Sequence, residues 1–116
     1  MDDRQLIERY FSAMRTGSSA EADLVGLFAE DAVYIEPFVS NEPAVGIEEI
    51  RARLRRGWEN PLPEVELDVL SIEVSGPDAT ALWVCRSPAL PGPVRGMDTY
   101  AIQGGKITRL EVRLLE

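Results

Sequence analysis

From residue 64 onward the sequence carries strand patterns and no helical one, which restricts the fold more than any other feature of the chain. Strands are predicted over residues 64–75, 79–87, 94–103 and 106–115. In the first of these, the alternation of apolar residues changes parity between Val69 and Leu70, which predicts a β-bulge and a bent strand. Short turns such as Gly104-Gly105 join neighbouring strands into hairpins. The second half therefore predicts a bent antiparallel sheet.

The first half is predominantly helical. Apolar residues recur at helical spacing in three segments, so that helices are predicted over residues 3–15, 20–29 and 46–58. A short strand, 33–36, follows the second helix, and 40–43 is predicted to be a loop. Together the halves predict a single α+β domain over residues 1–116. Three N-terminal helices would pack on a curved, mostly antiparallel sheet to form an open cone with an apolar interior.

Composition excludes several classes of function. A net charge of −8 without a long basic block makes nucleic acid an unexpected partner, and no apolar run approaches the length of a membrane span. A single cysteine, Cys85, and an acidic start that does not resemble a secretory signal favour a reducing, cytoplasmic setting. The chain has no histidine, which removes Ser-His-Asp catalysis and imidazole-based zinc sites. Acid–base chemistry must therefore use Asp, Glu, Tyr, Lys or Cys, and no metal site is expected.

Glu36 is the first candidate for that chemistry. It lies among apolar residues, immediately before Pro37, which pushes it to an extended conformation. No Lys or Arg is its sequence neighbour, and the arginines of the third predicted helix, Arg53 among them, are expected to face solvent. A carboxylate against an apolar wall has its charged form disfavoured, which suits a general base near neutral pH. The alternative is a solvent-exposed Glu36 beside a turn.

Asp98 and Tyr10 are the other two candidates. On strand alternation Asp98 and Tyr100 share one face, so that an inward Tyr100 implies a buried, protonated Asp98 able to donate a hydrogen bond. Alternation also allows an outward Asp98 paired with Arg95 or Arg113. Tyr10 lies in the apolar stripe of the first helix, where it either packs in the core or reaches a site.

At these positions the sequence resembles bacterial ketosteroid isomerase, within the SnoaL-like/NTF2-like superfamily. The resemblance covers essentially the whole chain and is carried by three segments. Glu8-Arg9-Tyr10 matches the segment of the family's oxyanion tyrosine, and Leu27–Ala32 followed by Glu36-Pro37 matches the segment of its catalytic base. Asp98, a few residues before Gly105-Lys106, matches the second oxyanion donor.

The resemblance implies a conical fold and a mechanism without a cofactor or metal. Glu36 would take a proton α to a ketone, Tyr10 and protonated Asp98 would hold the dienolate oxygen, and Glu36 would return the proton further along the molecule. The double bond would thereby move from β,γ to α,β. The substrate would be a small hydrophobic, steroid-like ketone, and the protein a homodimer packed through the outer face of the sheet. The expected pocket residues are Phe28, Leu54, Trp58, Trp83, Met97, Val112 and Leu114.

Two departures from the family pattern keep other functions open. Glu36 replaces the family's Asp, and Phe28 and Leu54 stand where some members have supporting tyrosines. A polyketide cyclase of the SnoaL kind could use Asp98 as its acid or base. A non-catalytic module that binds an apolar ligand is the alternative from another class.

Overall fold

The computed structural model describes residues 1–115 and has the predicted α+β architecture, with three helices on a curved open sheet. The helices are α1 (Asp3–Thr16), α2 (Glu21–Val25) and α3 (Ile47–Trp58), with a 3₁₀ turn, Ser18–Ala20, before α2. The strands are β1 (Phe28–Glu36), β2 (Ser40–Val45), β3 (Glu66–Ser75), β4 (Asp78–Arg86), β5 (Val94–Gln103) and β6 (Lys106–Leu115). In this part of the chain, no helix is long and apolar enough to cross a membrane.

A capping box starts α1. The Asp2 carboxylate accepts the backbone N–H of Gln5 at 2.8 Å, and the Gln5 side chain accepts the N–H of Asp2 at 3.0 Å. These bonds satisfy donors that a helix start otherwise leaves free. The buried face of α1 then directs Leu6, Tyr10 and Phe11 into the core. Tyr10 is thus placed against the inner face of the sheet.

The six strands form one sheet in the order β2-β1-β6-β5-β4-β3. Every neighbouring pair is antiparallel except β1 and β6, which run parallel. In β3 the register shifts between Val69 and Ser71, so the predicted bulge is confirmed. The bulge keeps Val69 and Ile72 on the same inner face although they are three residues apart.

The segment between residues 20 and 45 corrects the sequence prediction. The second helix ends at Val25, well before residue 29, and Phe28 already belongs to β1. Phe28 pairs with Ile107, whose N–H donates to the Leu27 carbonyl at 2.8 Å, so pairing with β6 overrides the local helical pattern. Residues 40–43 form strand, not loop, because Pro43 is tolerated in an edge strand such as β2.

Candidate active site

The inner face of the sheet brings the candidate residues together in rows that cross the strands. The first row runs from β1 to β4 and holds Tyr34, Leu110, Tyr100 and Ala79. The second row runs from β6 to β4 and holds Val112, Asp98 and Ala81. The third row runs from β6 to β3 and holds Leu114, Gly96, Trp83 and Val69. Ile35 pairs with Glu111, so Glu36 comes beside Val112 at the end of β1. Glu36 and Asp98 therefore flank Val112, with their backbones two strand spacings, roughly 10 Å, apart.

Asp98 is buried, with 2% of its surface exposed, so of the two orientations that strand alternation allowed, the structure shows the inward one. Its Oδ1 accepts the indole Nε1–H of Trp83 at 2.9 Å, and its Oδ2 accepts the Tyr100 hydroxyl at 2.8 Å. Burial raises the pKa of Asp98 to about 6, and the two hydrogen bonds limit the rise because they favour the carboxylate. Asp98 can thus gain and lose a proton near neutral pH.

Three buried tyrosines surround this carboxyl. The Tyr10 ring meets the Tyr100 ring edge to face at a centroid distance of 5.8 Å, and the Tyr10 and Tyr34 hydroxyls share a hydrogen bond. Burial raises the pKa of all three phenols, and the nearby Asp98 charge adds to the rise. They remain protonated at neutral pH and can act only as neutral hydrogen-bonding groups.

Glu36 is also buried, with 3% exposed, but it is not an isolated carboxylate. Arg53 Nη1 donates to its Oε1 at 3.1 Å, and the backbone N–H groups of Phe38 and Val39 donate to its Oε2 at 2.5 and 2.9 Å. The prediction that no cation neutralises Glu36, and that Arg53 faces solvent, is therefore wrong. Arg53 lies 17 residues further along on α3, and only the packing of α3 on β1 brings the two together.

The other predicted site residues divide between the interior, the rim and the outer face. Phe28, Leu54, Trp83 and Val112 are buried in the core, and Trp58 is partly buried against it. Leu114 is on the inner face but 47% exposed at the rim. Met97 alternates with Asp98 and pairs with Leu82 and Arg113, so it lies on the outer face and its predicted pocket role is wrong.

Sequence reasoning missed Tyr34 and Tyr100 as members of this polar cluster. A signal was present, because each stands two residues from a candidate carboxyl and therefore shares its face. Trp83 was predicted to line a pocket, but no pattern in the sequence indicated its bond to Asp98. That bond depends on the pairing of Trp83 on β4 with Gly96 on the adjacent strand β5.

Two open clefts lie away from the cluster. One, of about 400 Å³, is lined by Glu64, Glu66, Arg86, Ser87, Pro88, Gly92 and Pro93. The other, of about 290 Å³, lies between α1 and the bulge of β3 and is lined by Arg4, Glu8, Phe11, Arg15, Val69, Leu70, Ser71 and Ile72. Neither cleft is lined by a predicted catalytic residue, and the candidate catalytic groups all lie in the buried cluster. Within residues 1–115, no three Asp, Glu or Cys side chains are placed to hold a metal ion.

Comparison with known proteins agrees with this architecture. The curved open sheet with its three helices is an NTF2-like fold. Residues 7–110 match the SnoaL-like domain, and the chain belongs to that family. No curated protein matches the sequence.

Three solved structures are similar in fold. A Kribbella flavida protein named "putative ketosteroid isomerase" has 23% identity and a TM-score of 0.75, over 97% of this chain and 77% of its own. A Sinorhizobium meliloti protein named "putative polyketide cyclase" has 22% identity and a TM-score of 0.72, over 94% of each chain. An NTF2-like protein of unknown function from Burkholderia pseudomallei has 16% identity and a TM-score of 0.83, over 99% of this chain and 92% of its own.

Proposed function

We propose that this protein is an enzyme that moves protons on a small apolar carbonyl compound, with Asp98 as its acid–base group. The observation that carries the proposal is the setting of Asp98, which is buried between the Trp83 indole and the Tyr100 hydroxyl. A catalytic carboxyl is most effective when its pKa lies near the working pH. Burial raises the pKa of Asp98 to about 6, which satisfies that requirement.

The surroundings of Asp98 indicate the class of substrate. Its neighbours across the sheet, Val112 and Ala81, are apolar and buried, and the polar groups nearest to it are neutral phenols and an indole. Such walls accept an apolar molecule and disfavour a charged one. Protonated tyrosine hydroxyls can stabilise a developing enolate oxygen if they are aimed at it.

The first candidate reaction is of the cyclase type. Asp98 would take the proton α to a carbonyl, the carbanion would attack a second carbonyl of the same molecule, and the proton would pass to the new alkoxide. This reaction needs one carboxyl of near-neutral pKa and leaves Glu36 to a structural role. Glu36 accepts three charge-assisted hydrogen bonds, from Arg53, Phe38 and Val39, and it would have to weaken them in order to act as a base. These bonds therefore favour the cyclase-type reaction, in which Glu36 takes no proton.

The second candidate is an isomerisation of the ketosteroid type. Glu36 would shuttle the proton from the α carbon to the γ carbon, while Tyr10 and protonated Asp98 held the dienolate oxygen. One observation supports it: Glu36 and Asp98 flank Val112 on the same inner face of the sheet. A flat substrate lying over Val112 would have one carboxyl on each side. It requires Asp98 to release at least one of its present partners.

The test is exchange of the α protons of 2-tetralone in D2O, followed by NMR. Asp98→Asn should lower the rate at least about 100-fold, as expected for loss of a general base. The exposed Asp68, which pairs with Arg86, provides the control, and Asp68→Asn should leave the rate unchanged. The wild-type rate should fall as the pH drops through about 6, because Asp98 becomes protonated.

Glu36→Gln separates the two candidates. Exchange that survives this substitution favours the cyclase-type reaction. Loss of exchange in Glu36→Gln, together with conversion of a 3-oxo-Δ5-steroid to its conjugated enone by the wild type, favours the isomerase. Retention of full activity in Asp98→Asn would refute the role of Asp98 in both.

A further inference from the structure

The indole of Trp83 lies on a position of the sheet that has no side chain. Trp83 and Gly96 are direct cross-strand partners, and a Cβ added to Gly96 would stand 2.0 Å from the indole Cζ2 and 2.4 Å from Cε2. The ring therefore lies directly on the backbone of Gly96. Glycine weakens a strand interior and often marks a place where another group must approach closely. Here that group is an aromatic ring of the same chain.

The same ring is hydrogen-bonded to the candidate catalytic carboxyl. The indole Nε1–H can only donate, and it donates to Asp98 Oδ1 at 2.9 Å. The Tyr100 hydroxyl occupies the other oxygen, Oδ2. We call the bare backbone of Gly96 together with Asp98 Oδ1 the indole seat. It combines a flat apolar floor with one hydrogen-bond acceptor at its inner end.

The indole seat lies next to the rim of the cone. Gly96 pairs with Trp83 on one side and with Leu114 on the other, and Leu114 is 47% exposed. Asp98 lies one row deeper and is 2% exposed. A molecule that enters over Leu114 thus meets the Trp83 indole before it reaches Asp98. With the indole in place, Oδ1 already has its partner.

We propose that the indole seat is the ligand site of this protein and that Trp83 occupies it when no ligand is bound. The ligand is a planar molecule with an enol or phenol hydroxyl, which replaces the indole and donates to Asp98 Oδ1. The ligand must be planar because it lies on the bare backbone of Gly96. It must carry a hydroxyl because it replaces the indole N–H as the donor to Asp98 Oδ1, and a buried acceptor left without a donor is costly. The inference deepens the proposed function, and rests on it for the view that Asp98 is the reacting group.

The experiment is a titration of the full chain with 2-naphthol, followed by calorimetry and by the indole N–H resonances. Trp58→Phe assigns the two tryptophans. The Trp83 resonance should shift on binding, and that of Trp58 should move far less. The control probe 2-methoxynaphthalene has the same flat rings but no donor, and should bind at least about tenfold more weakly.

Two substitutions test the seat itself. Trp83→Phe removes the competing N–H and should tighten 2-naphthol binding about tenfold. Gly96→Ala is made in the Trp83→Ala background, because a Cβ at residue 96 would stand 2.0 Å from the indole. There it places a methyl group on the floor and should abolish the 2-naphthol binding that Trp83→Ala alone retains. Any of three results would overturn the inference. They are equal affinity for the two naphthalenes, a Trp83 resonance that does not move at saturation, and the absence of 2-naphthol binding in both the wild type and Trp83→Phe.

The outcome is separable from that of the proposed function. Loss of 2-tetralone exchange in Asp98→Asn without any preference for 2-naphthol keeps the enzyme and overturns the indole seat. Donor-selective binding that displaces Trp83, with exchange unaffected by Asp98→Asn, keeps the seat and overturns the role of Asp98 in proton transfer.

Discussion

Asp98 is held inside the protein at a cost that depends on pH. Its ordinary pKa of 3.8 is raised to about 6, mainly by burial, so the folded state disfavours the carboxylate relative to the unfolded chain. Well below pH 3.8 the carboxyl is neutral in both states and contributes no penalty. As the pH rises from about 4 to about 6, the unfolded chain releases this proton more readily than the folded protein does, so stability falls, and the loss is complete above about pH 6.

The pH dependence of unfolding should therefore differ between the wild type and Asp98→Asn. The asparagine oxygen can still accept the Trp83 N–H, and its amide stays neutral at every pH. Relative to this variant, the wild type should lose about 2 kcal/mol between pH 4 and pH 7.5. Urea unfolding of both proteins at the two pH values measures the difference. A difference that does not vary with pH would contradict a raised pKa at Asp98 in the folded state.

For single residues, the sequence indicated which side chains share a face of the sheet better than it indicated which side chains pair with one another. Strand alternation placed Asp98 and Tyr100 on one face, and the structure shows that this face is the inner one. No local pattern could join Glu36 to Arg53, since a helix and a strand meet only when the chain is folded. The sequence left the burial of Glu36 open, and it gave no sign of the neutralisation of Glu36 by Arg53.

Arg53 acts between elements of structure. It lies on α3, donates to Glu36 at the end of β1, and with its Nη2 donates to the Glu42 carbonyl of β2 at 2.7 Å. One guanidinium thus fastens the helix to both strands of the hairpin. A buried carboxylate that loses such a partner is expensive, because neither water nor another cation replaces it.

Arg53→Met should lower the free energy of unfolding by about 3 kcal/mol. The double variant Arg53→Met/Glu36→Gln should recover much of that loss, because it removes the unpaired charge. Arg51→Met is the matched control on the same helix, where Arg51 pairs with the exposed Glu48, and should cost less than about 1 kcal/mol. Urea unfolding at pH 7 measures all three. Equal losses for Arg53→Met and the control would show that the buried pair does not stabilise the fold.

The elements themselves were predictable to different degrees. The late strands and the bulge after Val69 followed from apolar alternation, which is a local signal. Strand β2 did not, since residues 40–43 have the composition of a turn and become a strand only through pairing with β1. The early end of α2 has the same origin, because β6 draws Phe28 into the sheet.

For the whole molecule, the outer face of the sheet is the candidate interface between two copies of the chain. Leu82 and Leu115 are exposed there, and the partly buried Met97 lies between Leu82 and Arg113. Exposed apolar groups on one face favour association. We therefore retain the homodimer through this face as a proposal.

The wild type should sediment as a dimer, and Met97→Glu should sediment as a monomer, because a charge in the middle of an apolar interface is left without a partner. Leu62→Glu is the control, since Leu62 is exposed in the connection between α3 and β3, outside the strands that form this face. Sedimentation velocity at micromolar concentration distinguishes the states. A monomeric wild type would exclude the dimer under those conditions.

The parallel pairing of β1 with β6 also bears on how the chain acquires its fold. β1 binds β2 on one side, but its other neighbour in the sheet is a strand from the far end of the described sequence, with Phe28 beside Ile107. Contacts between residues so distant along the chain slow folding, because a large loop must close before they form. During synthesis on a ribosome, the open edge of β1 and the apolar face of α1 must wait for β6 to leave the exit tunnel before the core can close.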